Sequence, residues 1–235
     1  MIRMPIPRIL LLTIITAPVL GQWLSFDLSA ANKNIFLKQV EPIVRSSVLS
    51  FGHPTRMNLS ESKRVGLAVS FPLGWDIPHE SLQTNPHLFS LFVEGQLLAS
   101  DNLVLKGRMN LISPKNESMN MAGYGLEYYK DTWSASIGIG WLEGTADMKI
   151  KMIDFNLLSE KTIFEVPFDI GVGINNYKVR FNNINDKKIP TRLENSLVYI
   201  MVGTRYHFQM FDINIQTQFT STFLQFNFQM LKSFF

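Results

Sequence analysis

The most constraining feature of the sequence is the alternation of apolar and amide side chains in its last dozen residues. The apolar set is Leu224, Phe226, Phe228 and Met230, and the amide set between them is Gln225, Asn227 and Gln229. Because successive side chains of a strand point to opposite faces, this segment predicts a β-strand with one apolar face and one polar face. The chain then ends on the aromatic pair Phe234 and Phe235.

The same two-residue period recurs along the chain and predicts about ten strands in all. The predicted strands are 65–71, 91–98, 103–111, 122–128, 133–141, 148–158, 168–174, 198–208, 211–219 and 224–230. Within 148–158 the apolar phase slips between Met152 and Ile153, which predicts a β-bulge.

The clearest internal strand carries Trp133, Ile137 and Trp141 on one face and glycine and serine on the other. In a tilted membrane strand the two tryptophans would lie roughly 20 Å apart along the membrane normal. That spacing fits two aromatic girdles at the membrane surfaces, and we add Tyr206 to the girdle set. A soluble sandwich can also bury two tryptophans, so this strand alone leaves both alternatives open.

The links between the predicted strands alternate between long and short, with one exception at 220–223. Outer-membrane barrels have long outer loops and tight periplasmic turns. The sequence therefore predicts an all-β fold: a transmembrane antiparallel up-and-down β-barrel of about ten strands, within a range of about eight to twelve, with a short N-terminal helix. An even strand number returns both barrel ends to the periplasm.

Short turns also fix the register between neighbouring strands. Turns at 131–132, 209–210 and 100–102 predict pairs such as Tyr128 with Ala135, and Glu94 with Arg108. We expect the polar faces to line the lumen, with charges compensated across strands. The predicted lumen-lining residues are Glu94, Lys106, Arg108, Glu127, Arg205, Asp212, Gln216, Gln218, Gln225 and Asn227.

The residues before the strands divide into two predicted segments. Residues 1–21 read as a signal peptide, because basic Arg3 and Arg8 precede an apolar run too short to span a membrane. Residues 22–63 form a periplasmic helical segment or plug, with apolar residues at helical spacing and an interruption at Pro42. We expect this segment to plug the barrel, to cap its mouth or to serve only as a linker. The barrel itself spans 64–235.

Several functional classes are not indicated by the composition. The chain has no cysteine, and its four histidines lack metal-ligand spacing, so we expect no metal site and no cofactor. No catalytic motif is present, and we expect no enzymatic activity. Without the two signal-peptide arginines the net charge falls from +3 to about +1, so we expect no nucleic-acid partner.

Three stretches carry a resemblance to a known class of proteins. They are the terminal strand ending in Phe235, the strand 167–173 and the pre-barrel stretch 36–42. Together they resemble bacterial outer-membrane barrels that carry a helix before the barrel. The resemblance implies an outer-membrane location and no particular ligand. It also implies that the barrel-assembly machinery recognises an assembly signal formed by Phe228, Met230, Phe234 and Phe235.

The sequence leaves three functions open. The first is a narrow passive channel or conduit for an unknown small solute, surrounded by outer-membrane lipid. The second is a structural or surface-interaction barrel with a filled lumen. The third is a soluble lipocalin-like barrel, which would bury Trp133, Ile137 and Trp141 and expose Lys106, Arg108 and Gln216.

Overall fold

The structure is a computed structural model. It describes residues 33–77, 87–88, 91–111, 120–145, 148–163, 166–181 and 190–234. The predicted signal peptide 1–21 and Phe235 lie outside the described residues, so the predictions for them are not tested.

One helix precedes eleven strands in the described part of the chain. The helix α1 spans Lys33–Gly52. The strands are β1 Val65–Asp76, β2 His87–Leu88, β3 Phe92–Ser100, β4 Leu103–Asn110, β5 Asn120–Lys130, β6 Trp133–Thr145, β7 Met148–Ile163, β8 Val166–Phe181, β9 Arg192–His207, β10 Asp212–Phe219 and β11 Phe223–Phe234. Among these residues, no helix combines the length and the hydropathy needed to cross a membrane.

The sheet closes on itself. Each long strand is antiparallel to the next, and β11 pairs with β1 from Val65–Phe234 to Asp76–Phe223. The short β2 pairs only with the outer part of β1, so ten strands form the barrel wall. The predicted up-and-down barrel of ten strands is confirmed.

The strand registers follow the predicted turns. Tyr128 pairs with Ala135 across the 131–132 turn, where Asp131 adopts a left-handed φ of 53°. Glu94 pairs with Arg108, and Ile215 pairs with Phe228. These registers are as predicted, because a tight turn leaves only one pairing that keeps apolar residues on one face.

The two ends of the barrel differ in their links. The three longest links, 77–91, 111–119 and 182–191, lie at one end, which is therefore the outer end. The opposite, periplasmic end has tight turns such as 131–132. β8 and β9 are longer than the predicted strands 168–174 and 198–208, because they extend above the membrane band as a paired hairpin.

The β-bulge predicted in 148–158 is wrong. β7 pairs with β8 in one continuous register over Met148–Ile163, and its side chains alternate strictly between inside and outside. Met148 and Met152 point inward, whereas Ile153 and Phe155 point outward. The inward face is apolar at the outer end because the lumen there holds the apolar surface of α1.

The outer surface of the wall carries an apolar belt. Trp133 and Trp141 are each 38% exposed and face outward, where they contact Tyr128 and Tyr124 at ring-centroid distances of 5.7 and 6.3 Å. Tyr206 is also exposed on the outside. This arrangement is the reverse of the lipocalin alternative, since Trp133, Ile137 and Trp141 face outward whereas Gln216 and the charged Lys106 and Arg108 face inward.

Candidate functional site

The candidate site is the barrel lumen, which is occupied by the chain itself. We call residues 40–57 the plug, comprising the last part of α1 and the extended segment after it. Val40 and Val44 lie at the outer end, where Arg45 Nη1 donates to Thr222 Oγ1 at 2.6 Å. Met57 lies near Gly66, at the periplasmic start of β1. The plug therefore runs through the lumen from the outer end to the periplasmic end.

The outer half of the lumen is a hydrophobic core. The apolar face of α1 is almost fully buried against inward-facing side chains of the wall. The wall residues in this cluster are Phe92, Met121, Leu142, Met148, Ile150, Met152, Tyr177, Val179 and Phe181. The interruption predicted at Pro42 is wrong, since α1 continues through this residue. Packing of Val40 and Ile43 on either side stabilises the helix there.

A glycine notch receives the end of α1. Gly123 and Gly140 lie side by side in the inner face of the wall, one on β5 and one on β6. A Cβ atom at either position would collide with the ring of Phe51. Between residues 134 and 140 the inward face of β6 carries only glycine and serine, which would leave open space in an empty barrel. An aromatic side chain of the plug fills that space.

Wall side chains bind the carbonyl groups at the end of α1. Asn175 Nδ2 donates to Val48 O at 3.0 Å, and Tyr199 Oη donates to Gly52 O at 3.0 Å. Asn156 Nδ2 also donates to Gly52 O, at 3.2 Å. The last carbonyls of a helix have no partner within the helix, so these bonds cap α1 inside the barrel.

A cluster of charges on β3, β4 and β5 surrounds the extended part of the plug. Arg108 forms an ion pair with Glu94 and donates from Nη2 to His53 O at 2.9 Å. Lys106 forms an ion pair with Glu127 and donates from Nζ to Thr55 O at 3.0 Å. Each cation therefore joins a wall carboxylate to the plug backbone, which leaves these charges neither solvated nor free to bind a passing ion.

A second charged cluster lies near the periplasmic end. Arg205 donates to Glu160 Oε2 at 2.6 Å and to Asn58 Oδ1 at 3.0 Å. Asp212 is paired with His207. Arg56 of the plug lies 3.6 Å from Glu160. These contacts hold the plug where it leaves the lumen.

The amide-rich face of the closing strand also points inward and is buried. Asn227 Nδ2 donates to Gln218 Oε1 at 3.4 Å, and Asn214 Nδ2 donates to Gln229 Oε1 at 2.8 Å. Two further amides reach the plug: Gln225 contacts Ser50 Oγ at 3.1 Å, and Gln229 Nε2 donates to Thr55 Oγ1 at 3.2 Å. Gln216 is buried on the same face. The amides interlock with each other and with the plug.

Little space remains between the plug and the wall beside the glycine notch. The cavity lined by Phe51, His53 and Arg108 has a volume of about 40 Å³, room for a few water molecules. No group of three or more acidic or histidine side chains that could hold a metal ion occurs among the described residues.

All ten residues predicted to line the lumen lie on the inner face. The sequence alone does not identify the residues through which the plug and the wall contact each other. They are Ser50, Phe51, His53, Thr55, Asn156 and Tyr199. One signal of these contacts is present in the sequence. The even positions of β7 carry three apolar residues and then two polar ones, Asp154 and Asn156.

Of the proposed assembly signal, Phe228 contacts Phe71 on the outside at 6.4 Å between ring centroids, and Phe234 pairs with Val65 at the seam.

The solved structures that match this chain include three bacterial outer-membrane proteins. A bacterial polysaccharide outer-membrane secretin matches at a TM-score of 0.40 and 7% identity, covering 75% of this chain and 100% of that chain. The KdgM porin in complex with disordered oligogalacturonate matches at 0.35 and 7%, covering 72% and 99%. The N-terminal β-barrel domain of Pseudomonas aeruginosa OprF matches at 0.33 and 10%, covering 72% and 97%.

No protein-family model matches the sequence, and no curated protein matches it. The assignment therefore rests on the geometry: a closed antiparallel wall, an outward apolar belt bounded by aromatic side chains, and buried charged side chains turned to the lumen. The protein is an outer-membrane β-barrel of ten strands whose lumen holds its own N-terminal helix.

Proposed function

We propose that the protein is a closed barrel that acts through its surfaces, as a structural or surface-interaction protein, and not as a passive channel. The observation that carries this proposal is the plug. Residues 40–57 occupy the lumen from end to end, and side chains of at least six wall strands contact them. A ten-strand barrel would otherwise leave room for a solute path.

The energetics of the plug support closure. Its outer half buries apolar surface, and each buried side chain of the valine or leucine type contributes about 1.5–3 kcal/mol. Its inner half accepts hydrogen bonds from the charged wall residues Arg108 and Lys106 at the carbonyl oxygens of His53 and Thr55, and a hydrogen bond to a charged group contributes about 1.5–3 kcal/mol. Withdrawing the plug as a unit would lose both contributions at once, so thermal motion does not open the lumen.

Planar-bilayer recording tests the proposal. The chain has no cysteine, so a Gly52→Cys/Asp154→Cys pair, whose Cβ atoms would lie 3.6 Å apart, can form a disulfide that fixes the plug to the wall. We expect the wild-type protein and the oxidised and reduced forms of the pair to be equally silent under all salt conditions. Heat-modifiable gel migration would confirm that each reconstituted sample is folded.

The alternative is a gated conduit, in which the plug moves aside. It predicts discrete current steps from the wild-type protein that disappear when the cysteine pair is oxidised and return on reduction. That result would overturn the closed-barrel proposal. A variant lacking residues 33–57 serves as the positive control, since an emptied barrel of this size should conduct.

A further inference from the structure

Five cationic side chains crowd the outward face of the barrel at its outer end. They belong to the upper parts of β7, β8 and β9 and are Lys149, Lys151, Lys178, Arg180 and Arg192. Three cross-strand pairs in this set join like charges: Lys149 with Arg180, Lys151 with Lys178, and Arg180 with Arg192. Like charges directly opposite each other destabilise a sheet, so this arrangement calls for a compensating anion.

The protein supplies only part of that compensation. Glu194 lies 3.1 Å from Lys178 Nζ and also pairs with Arg192, and Glu143 lies 3.4 Å from Lys149 Nζ. Among the described residues, no carboxylate lies within ion-pair distance of Lys151 or Arg180. Five cations against two carboxylates leave a net charge of about three on this face at neutral pH.

The cations border a groove that continues into the apolar belt. The groove has a volume of about 930 Å³ and runs across the outer face from Tyr124 to Ser196. Lys151 and Lys178 line it together with Trp141 and Ile153. Lys151 lies directly opposite Trp141 in the sheet, so the charged rim and the upper aromatic girdle meet at the same membrane level.

We propose that this groove, hereafter the basic groove, binds a phosphate-bearing lipid of the outer leaflet. The phosphate groups contact Lys151 and Lys178, with Arg180 alongside, while the acyl chains lie against the belt below Trp141. Cationic side chains at the membrane surface attract anionic headgroups, each contributing on the order of a few-fold in affinity. The inference is independent of whether the lumen conducts.

The position of the basic groove favours a lipid over a soluble anion. A soluble polyanion would use only the charged rim, whereas the groove extends from Lys178 down to Ile153, which is exposed to the membrane. A ligand that has both phosphates and acyl chains uses both parts. The charge and the apolar surface are therefore complementary to a single amphipathic occupant.

Glu194 acts as a built-in competitor for the same cations. Its hydrogen bond with Lys178, together with the nearby charge of Arg192, lowers the pKa of this carboxyl below its ordinary value, so it stays ionised at neutral pH. A bound phosphate must share Lys178 and Arg192 with it. Removing the carboxylate charge is therefore expected to strengthen lipid binding.

Native mass spectrometry of the full-length protein in detergent, titrated with diphosphoryl lipid A, tests the proposal. We expect the Lys151→Gln/Lys178→Gln variant to bind about tenfold more weakly than the wild type, and Glu194→Gln to bind a few-fold more tightly. The matched control is Lys130→Gln/Lys161→Gln, which removes the same charge from the outward face near the periplasmic end. It should bind within twofold of the wild type.

Three outcomes would overturn the proposal. One is equal weakening by the two double variants, which would mean a general charge effect. Another is equal affinity for zwitterionic phosphatidylethanolamine, which would mean that the cations do not select a lipid of net negative charge. The third is competition by inorganic pyrophosphate as complete as that by lipid A, which would mean a soluble-anion site. Heat-modifiable migration establishes that all variants are folded.

Discussion

At the scale of single residues, the lumen is specified by a few close fits between plug and wall. The Phe51 ring of the plug occupies the notch over Gly123 and Gly140, and within the wall the Tyr199 ring, which also binds the plug, covers Gly173. A polar counterpart is Arg108, which joins Glu94 of the wall to backbone carbonyls of the plug. A larger residue at one of these glycines, or an uncharged residue in place of Arg108, is therefore expected to displace the plug.

Gly140→Ala is expected to destabilise the barrel, because the added Cβ meets the Phe51 ring. Overpacking of this kind costs about 1–3 kcal/mol. The temperature at which heat-modifiable migration is lost should fall. Gly107→Ala is the matched control, since a Cβ there meets nothing within 4 Å. Equal shifts for both variants would show that the notch is not tightly packed.

Arg108→Met is expected to be more damaging than the loss of one surface ion pair. It leaves Glu94, which is 2% exposed, without its cation. Breaking a buried pair in this way costs about 3–5 kcal/mol. The double variant Arg108→Met/Glu94→Gln should recover a substantial part of that loss in denaturant unfolding. No recovery would mean that Arg108 stabilises the barrel only through its bonds to the plug backbone.

At the scale of secondary-structure elements, the direction of α1 sets the topology. The helix enters at the outer end, beside Thr222, and leaves the lumen as the extended strand-like segment that reaches β1 at the periplasmic end. From the sequence, the segment before the barrel is able to plug the lumen, to cap its mouth or to serve as a linker. The periodicity of 35–48 identifies a helix, but nothing in that period indicates which surface it will contact.

Cysteine labelling on intact cells tests this direction. Glu41→Cys lies at the outer end of α1, where the Glu41 side chain is 42% exposed, and should react with a membrane-impermeant maleimide. Ser62→Cys lies exposed beside the periplasmic start of β1 and should react only after the outer membrane is broken. The absence of native cysteine makes the pair free of background. Reversed labelling would mean that the helix enters from the periplasm.

At the scale of the whole molecule, the wall could be predicted from the sequence and its filling could not. Turns of two or three residues fix a strand register locally, so pairs such as Glu94 with Arg108 follow from spacing and alternation alone. The contents of the lumen depend on contacts between residues far apart in sequence, such as Gly52 with Tyr199. The wrong bulge in β7 has the same cause, since the apolar even positions face a helix that local periodicity cannot place.

The whole-molecule arrangement also separates the two kinds of charge. Inside, Lys106, Arg108 and Arg205 each form an ion pair with a carboxylate, that of Glu127, Glu94 and Glu160 respectively. Outside, the rim of the basic groove has cations in excess. Buried charge here stabilises the fold, while exposed charge is available to a partner. The assembly signal at the C-terminal strand stays a prediction, and its Phe228 lies on the lipid side of the seam, against Phe71.

The pairing of β11 with β1 has a consequence for how the molecule forms. This last seam joins the C-terminal strand to the first one, and it encloses a segment that lies earlier in the sequence than either. The plug must therefore be in place before the ring of hydrogen bonds is complete, or else be threaded through a finished barrel end-on. Once β11 has paired with β1, the plug is joined to the wall at Val65 and lies inside a closed ring of strands formed by later residues of the same chain. Its release then requires either withdrawal of the preceding chain through the lumen toward the periplasmic end, where the plug joins β1, or the opening of the twelve residue pairs between β1 and β11.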